Sequence, residues 1–218
     1  MKVRLISKTA GVIPDLVGRS LGDIIAYVAR VSNPGNQANH LTSPKLLSYC
    51  LKNNHVSIFE QASFCVEVET SLAIAAQVLR HSSLKFQQWS LRYSESQKSY
   101  EHTEARRQDH KNRQNSIDDM AEVDKEWWVT TQKEVNLLCQ KFYAEALDKG
   151  ICKEQARLLL TSGTTTKMYI TGSVRSWIHY CKIRTKPDVQ REHRDVANEC
   201  LKVLLGEVPE LSDYFEES

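Results

Sequence analysis

No stretch of this sequence stays apolar for the eighteen or so residues that a membrane-crossing helix needs, so a bilayer span is not expected. The six cysteines, Cys50, Cys65, Cys139, Cys152, Cys181 and Cys200, stand singly with no C-x-x-C pair. That argues against a disulfide framework and fits free thiols in a reducing cytosol. The opening MKVRLISKTAG has too short an apolar run for a signal peptide, and a cytoplasmic location is expected. An excess of charge is also missing: 29 basic and 27 acidic residues leave a net charge of +2. Such a balance offers no global field for nucleic acid or a membrane surface, so any basic site has to be local. There is no G-x-G-x-x-G and no G-x-x-x-x-G-K, which removes both the dinucleotide and the P-loop phosphate cradles. His55 and His81 lack partners at H-x-x-x-H spacing, and no metal site is expected.

A chain of 218 residues, 41% of them hydrophobic, can bury one sizeable core, and one domain over residues 1–218 is expected. KVRLIS reads as a short strand, and SLGDIIAYVARVS as a helix with Ser20 and Asp23 as its capping pair. SPKLLSYCLKNNH reads as a second helix, with Ser43 as N-cap and Pro44 in its first turn, leaving His55 just past its end. ASFCVEVET alternates Phe64, Val66 and Val68 against Cys65, Glu67 and Glu69, the pattern of a strand with one wet face. Ser71 then caps a helix through LAIAAQVLR, where Gln77 and Arg80 share a face. Residues 95–125 are polar and aperiodic, too long for a routine connection, and read as an insertion or lid. Further helices are expected at Trp127 to Lys149 and around KEQARLLL, SVRSWIHYCKIR and DVANECLKVLLGEV. This order of elements mixes strand and helix, an α+β pattern.

The chemistry concentrates in LRHSSLKFQQWSLRYSES, Leu79 to Ser96, which sets arginine, histidine, hydroxyls and amides among Leu84, Phe86, Trp89, Leu91 and Tyr93. Arg80 and Arg92 lie here, Arg157 in EQARLL, and Arg175 and Arg184 in SVRSWIHYCKIRT. Any one arginine is most simply a solvated surface residue; several converging ones suit a phosphorylated, planar guest, because guanidinium forks match phosphates and carbonyl edges. Ser90 lacks the glycine-flanked elbow of a serine nucleophile and reads better as a hydroxyl donor to phosphate.

These residues resemble the flavin-dependent thymidylate synthases, whose signature is R-H-R, seven residues, then S. Here it stands as Arg80, His81, Ser82, then Ser90, Arg92 and Tyr93, with supporting pieces in order: VARVS ending at Ser32, NNHVSIFEQ, Gln77, ARLLL, and VRSWIHYCKIR. The resemblance spans nearly the whole chain and implies a thymidylate synthase-complementing type fold of the α+β class, a small, largely antiparallel sheet flanked by helices. It implies an enzyme converting dUMP to dTMP, with FAD as hydride carrier, methylenetetrahydrofolate as carbon donor and NADPH as reductant. It further implies a homotetramer whose sites draw on more than one subunit. By motif position, Ser32, His55, Ser57, Glu60, Arg80, His81, Ser82, Ser83, Gln88, Ser173, Arg175 and His179 would surround FAD. Gln77, Arg80, Gln88, Ser90, Leu91, Arg92, Arg157 and Arg184 would hold dUMP, with Arg184 as the catalytic group.

No cysteine lies between Cys65 and Cys139, so the signature carries no thiol to attack a uracil ring. An arginine against the ring edge, stabilising N3-deprotonated uracil, is the alternative to covalent activation. Two positions depart from the family pattern: Ser82 stands where the second arginine is usual, and Gln88 where a glutamate is usual. One positive and one negative charge are lost, which reads as the matched loss of an ion pair or shared network. The departures also leave room for a hydroxymethylase or a different pyrimidine nucleotide on the same fold, or a nucleotide-binding homologue without turnover. Product mass separates the first two from methylation, and a colourless protein that takes up no FAD identifies the third.

Overall fold

The computed structural model describes residues 1–97 and 99–216. At its centre lies an antiparallel sheet of order β1-β2-β6-β3, with β1 at Lys2–Lys8, β2 at Ser63–Ser71, β6 at Thr165–Ser173 and β3 at Lys85–Gln88. The two central strands pair over their full length, from Ser63↔Ser173 to Ser71↔Thr165. Inward Phe64, Val66 and Val68 on β2 and Met168 and Ile170 on β6 are buried, as a period of two requires. Helices cover that face: α1 at Leu21–Ala29, α2 at Ser43–Lys52, α3 at Leu72–Val78, α6 at Val174–Arg184 and α7 at Arg191–Glu207. Trp177 of α6 stacks on Phe64 with ring centroids 5.0 Å apart, and its indole N–H donates to the Phe64 carbonyl at 3.3 Å. The long α4 (Glu122–Asp148), the short α5 (Lys153–Ala156) and the terminal α8 (Ser212–Glu216) complete the set. Among the described residues no helix is long and apolar enough to cross a membrane.

The α+β class, the ASFCVEVET strand and the Ser20 and Ser71 caps agree with the sequence. Ser20 accepts from the Asp23 N–H at 3.0 Å, and Ser71 from the Ile74 N–H at 3.4 Å. Other expectations shift. Ser43 is the first residue of α2 rather than its cap, with Thr42 before it. The long helix begins at Glu122, a turn ahead of Trp127. The face of β2 expected to be wet is not so at Glu67, which is 5% exposed. Its carboxylate is held by Arg4 at 2.7 Å, directly across the β1–β2 register, and by Lys167 at 3.5 Å from β6. The Arg4 hydrogen bond is the main reason its carboxyl sits below the usual range. Strands β3 and β6 were not anticipated, because Lys and Gln dilute the apolar pattern in the first and Thr, Lys and Gly in the second.

The polar 95–125 segment carries a hairpin, β4 (Arg107–Gln108) paired with β5 (Ser116–Ile117). It is tied down at both of its sides. Glu101 accepts from the Ser71 N–H at 2.8 Å and Thr70 Oγ1 at 3.0 Å, and pairs with the amino terminus at 2.7 Å. The Gln132 amide of α4 spans Thr103, donating to its carbonyl at 2.8 Å and accepting from its N–H at 3.0 Å.

Gly172 sits where β6 meets α6, and a Cβ there would lie 2.4 Å from Leu84 Cδ2, in the turn that carries the arginine-histidine signature. Leu84 is 2% exposed and has little room to move. Gly172→Ala should therefore cost about 1–3 kcal/mol in urea unfolding through overpacking. In a Leu84→Ala background the same change should cost measurably less; equal costs in both backgrounds would refute this contact as the cause.

Candidate active site

The signature begins at the C-terminal end of α3. Arg80 is exposed, His81 is buried, and Ser82 and Ser83 form an exposed turn leading through Leu84 into β3. Strand β3 then carries the chain back along β6 to Ser90–Tyr93. Helix α6, capped by Ser173 accepting from the Ser176 N–H at 3.2 Å, runs back toward α3 and brings His179, Tyr180 and Arg184 with it. The His81 ring lies 5.3 Å from His179 and 5.2 Å from Tyr180, centroid to centroid. Tyr180 also lies 6.0 Å from His193 of α7.

This junction is dense in buried polar atoms that lack partners: His81 Nε2, Tyr180 Oη, Arg184 Nε and His193 Nε2. A native core leaves few such groups unsatisfied, and a cluster of them marks a place built for something other than packing. Burial, and then the His179 and Arg184 charges, push His81 down to about 4. Burial, with Arg184 and His81, does the same to His193, also to about 4. Both rings are therefore neutral near neutrality, while burial raises the Tyr180 phenol. Nearby thiols are equally quiet: burial pushes Cys181 well up and Cys200 up to about 12. Neither offers a thiolate nucleophile at neutral pH.

Several residues singled out in the sequence come together in one chain. Around the signature turn, Arg175 pairs with Glu60 at 3.1 Å, and Ser57 sits in the same one-turn 3-10 helix, Val56–Glu60. His55 packs edge-on to Tyr49 just before it, where Asn54 takes a positive φ of 57° to end α2, and Ser32 is exposed beyond α1. A second group gathers at the other end of β3. Arg92 pairs with Glu154 at 3.2 Å and Arg157 donates to the Glu154 carbonyl at 3.3 Å. Leu91 is buried beside them and Ser90 Oγ accepts from the Arg92 N–H at 3.4 Å, a local turn with no base at hand. Gln77 of α3 forms a third point, bonded to Gln190 at 2.6 Å and to His193 at 3.2 Å.

Neither of the two cavities at Gln190 gathers these groups. The two cavities that meet at Gln190, of about 490 and 350 Å³, are lined by Trp128 and its neighbours and by none of Arg80, Arg92, Arg157, Arg175 or Arg184. Nor are Ser82 and Gln88 direct partners: about 13 Å of extended strand separates the turn from the end of β3. Gln88 Nε2 instead donates to Thr166 Oγ1 at 3.3 Å. Within one chain Ser82 and Gln88 therefore make separate contacts. His193, Tyr180 and Gln190 escaped the sequence reading, because a lone histidine on an amphipathic helix looks like any core residue. Among the described residues no group of His, Cys, Asp or Glu is arranged to hold a metal ion.

Residues 17–210 match the family model described as thymidylate synthase complementing protein. The chain belongs to the thymidylate synthase complementing protein family. It is 45% identical over 212 residues to the probable flavin-dependent thymidylate synthase of Paramecium bursaria Chlorella virus 1, covering 97% of each chain. To the flavin-dependent thymidylate synthase of Synechocystis it is 45% identical over 220 residues, covering 99% of this chain and 100% of that one. The fold also matches the crystal structure of the UMP/dUMP methylase PolB from Streptomyces cacaoi bound with 5-Br dUMP, at a TM-score of 0.82 and 24% identity, over 99% of this chain and 94% of that one.

The two buried histidines set a pH dependence. Their folded values near 4 lie below the ordinary 6.5, so the unfolded chain takes up protons that the folded chain refuses. The stability they contribute is complete above pH 6.5 and is lost as the pH falls toward 4. Thermal melts across that window should show a falling Tm, with a shallower slope for His193→Gln, which cannot titrate. An unchanged slope in the variant would contradict a neutral, buried His193.

Proposed function

We propose that this protein is a flavin-dependent thymidylate synthase that reductively methylates dUMP to dTMP, with FAD as hydride carrier, methylenetetrahydrofolate as carbon donor and NADPH as reductant. The observation that carries this reading is the junction of α3 and α6, which sets signature residue His81 against His179 and within the field of Arg184, with polar atoms buried and unpartnered. The residues fit a flavin dinucleotide. Hydroxyls from Ser57, Ser83 and Ser173 and the guanidiniums of Arg80 and Arg175 lie on the elements around the signature turn, suited to an anionic diphosphate. Bound FAD would supply the hydride that no side chain can. Arg184 would stabilise the N3-deprotonated uracil ring electrostatically, in place of a thiol adduct. The high-lying Cys181 and Cys200 thiols support that choice. Arg92 and Arg157, already gathered at Glu154, would hold the nucleotide phosphate.

The separation of the Arg92 group from the signature turn by β3 favours sites completed between subunits, in a homotetramer. A stripe of exposed apolar residues along α4 supports association: Val123, Trp127, Val135, Leu138 and Phe142 fall at steps of four, eight, three and four residues, close to one helical face, and all are at least 46% exposed. A cytoplasmic setting accords with the six free thiols. The 95–125 segment, anchored at Glu101 and Thr103, would act as a cover over the site rather than as a free loop.

The protein as purified should be yellow, and its flavin absorption should shift when dUMP is added. Arg184→Ala should abolish dTMP formation, by a factor of at least about a hundred, while the far-ultraviolet spectrum and flavin content remain. A product heavier than dTMP by one oxygen would instead favour hydroxymethylation. A colourless protein that takes up no FAD would end the enzyme reading.

A further inference from the structure

Four hydrogen bonds link the 95–125 segment to the buried junction. Arg106 NH2 donates to Glu192 Oε1 at 2.6 Å, and Gln190 Nε2 donates to Glu192 Oε2 at 2.9 Å. Gln77 Nε2 donates to Gln190 Oε1 at 2.6 Å, and His193 Nδ1 lies 3.2 Å from Gln77 Oε1. The direction of this chain follows from its first member. A guanidinium can only donate and a carboxylate can only accept, so Gln190 must turn its NH2 toward Glu192 and its carbonyl toward Gln77. Gln77 must then give its NH2 to Gln190 and its carbonyl to His193. His193 is left to donate from Nδ1, which makes Nε2 the bare nitrogen. Amide and imidazole orientations are ordinarily ambiguous; here the ion pair at one end removes the ambiguity.

The two ends of the chain differ in exposure. Gln190 is exposed and Gln77 half-buried, whereas His193 is fully buried. The side of the Gln77 amide nearer solvent is therefore the NH2, which still has one hydrogen to give. The carbonyl side faces the interior. Arg106 and Glu192 are themselves well covered, with side chains 12% and 18% exposed, so water screens their pairing little.

We propose that Arg106, Glu192, Gln190 and His193 are positioning residues that fix the polarity of the Gln77 amide, so that it offers an incoming pyrimidine a donor and thereby selects a uracil carbonyl over a cytosine amino group. The proposal rests on the reading above in one respect, that Gln77 faces the nucleotide. Matching a committed donor to an acceptor is worth more for discrimination than for affinity, because the wrong ring leaves a polar group unpaired. The neutral state of His193, enforced by burial, supports it, since only a neutral imidazole has one donor and one acceptor nitrogen.

Glu192→Gln tests the anchor with almost no change of shape. A glutamine at 192 can donate as well as accept, so the chain can run either way. Two measurements follow on wild type, Glu192→Gln and His193→Asn. The first is the nitrogen chemical shifts of selectively labelled histidine without nucleotide, the His193 signal being the one that His193→Asn removes. Wild type should show a single Nδ1–H tautomer, and Glu192→Gln a mixture with the Nε2–H form. The second is the ratio of dissociation constants for dCMP and dUMP by calorimetry. Glu192→Gln should lower the wild-type preference for dUMP by about tenfold, the value of one neutral hydrogen bond. His193→Asn, whose amide N–H replaces Nδ1–H, should keep most of it. A wild-type Nε2–H tautomer, or a preference for dUMP that Glu192→Gln leaves intact, overturns the proposal. A wild type that binds neither nucleotide sinks the nucleotide reading instead, and the histidine spectrum alone then decides whether the chain has the stated direction.

Discussion

The site depends on the register of two strands. Because β2 and β6 pair antiparallel from Ser63↔Ser173 to Ser71↔Thr165, the helices that follow them leave the sheet from opposite ends. Each helix is capped by the last residue of its strand, Ser71 for α3 and Ser173 for α6. Both turn back over the same buried face and so approach each other, which is how His81, ending one helix, reaches His179 and Tyr180 of the other. A slip of one residue would turn Phe64, Val66 and Val68 outward and break the stack of Phe64 on Trp177 that seats α6. Fold and site are thus specified by the same apolar alternation.

Electrostatics around this frame divides by depth. The surface pairs, such as Arg107 with Asp119, are exposed on both sides and contribute little. The covered ones define geometry. Glu67 ties β1, β2 and β6 together through Arg4 and Lys167, and Glu192 ties the hairpin segment to α7 through Arg106. At the junction itself the arrangement is the reverse of a salt bridge. Two neutral histidines and an un-ionised phenol lie near Arg184, with no carboxylate among the groups that set their protonation. A cation with neutral neighbours is free to answer an anionic guest, whereas one already paired would have to give up its partner first.

Much of this was legible in the sequence where the signal was periodic or carried by a cap: the β2 alternation, Ser20, Ser71, and the helices of the C-terminal half. The arginines and histidines that matter were legible as types in an order, since motif spacing survives without knowledge of the fold. Three things were not. β6 hides because Thr166 and Gly172 occupy inward positions where a stronger strand would carry valine; Gly172 is there to clear Leu84, a reason that exists only in three dimensions. The long polar segment looked unstructured because its order comes from partners 29 to 86 positions away, such as Gln132 and Glu192. His193 was silent because its role is set by what it touches, the Gln77 amide.

The placement of the cationic groups at two ends of β3 bears on the proposed assembly. Arg80 precedes β3 and Arg92 follows it, and folding β3 away from β6 to bring them together would cost the ladder bonds of Lys85↔Thr171 through Gln88↔Met168. In the proposed homotetramer, borrowing one group from a neighbouring copy would leave the sheet intact, and the apolar stripe of α4 would leave water in the same step. The register that fixes the α3–α6 junction and the separation of Arg80 from Arg92 along β3 are therefore two consequences of one sheet.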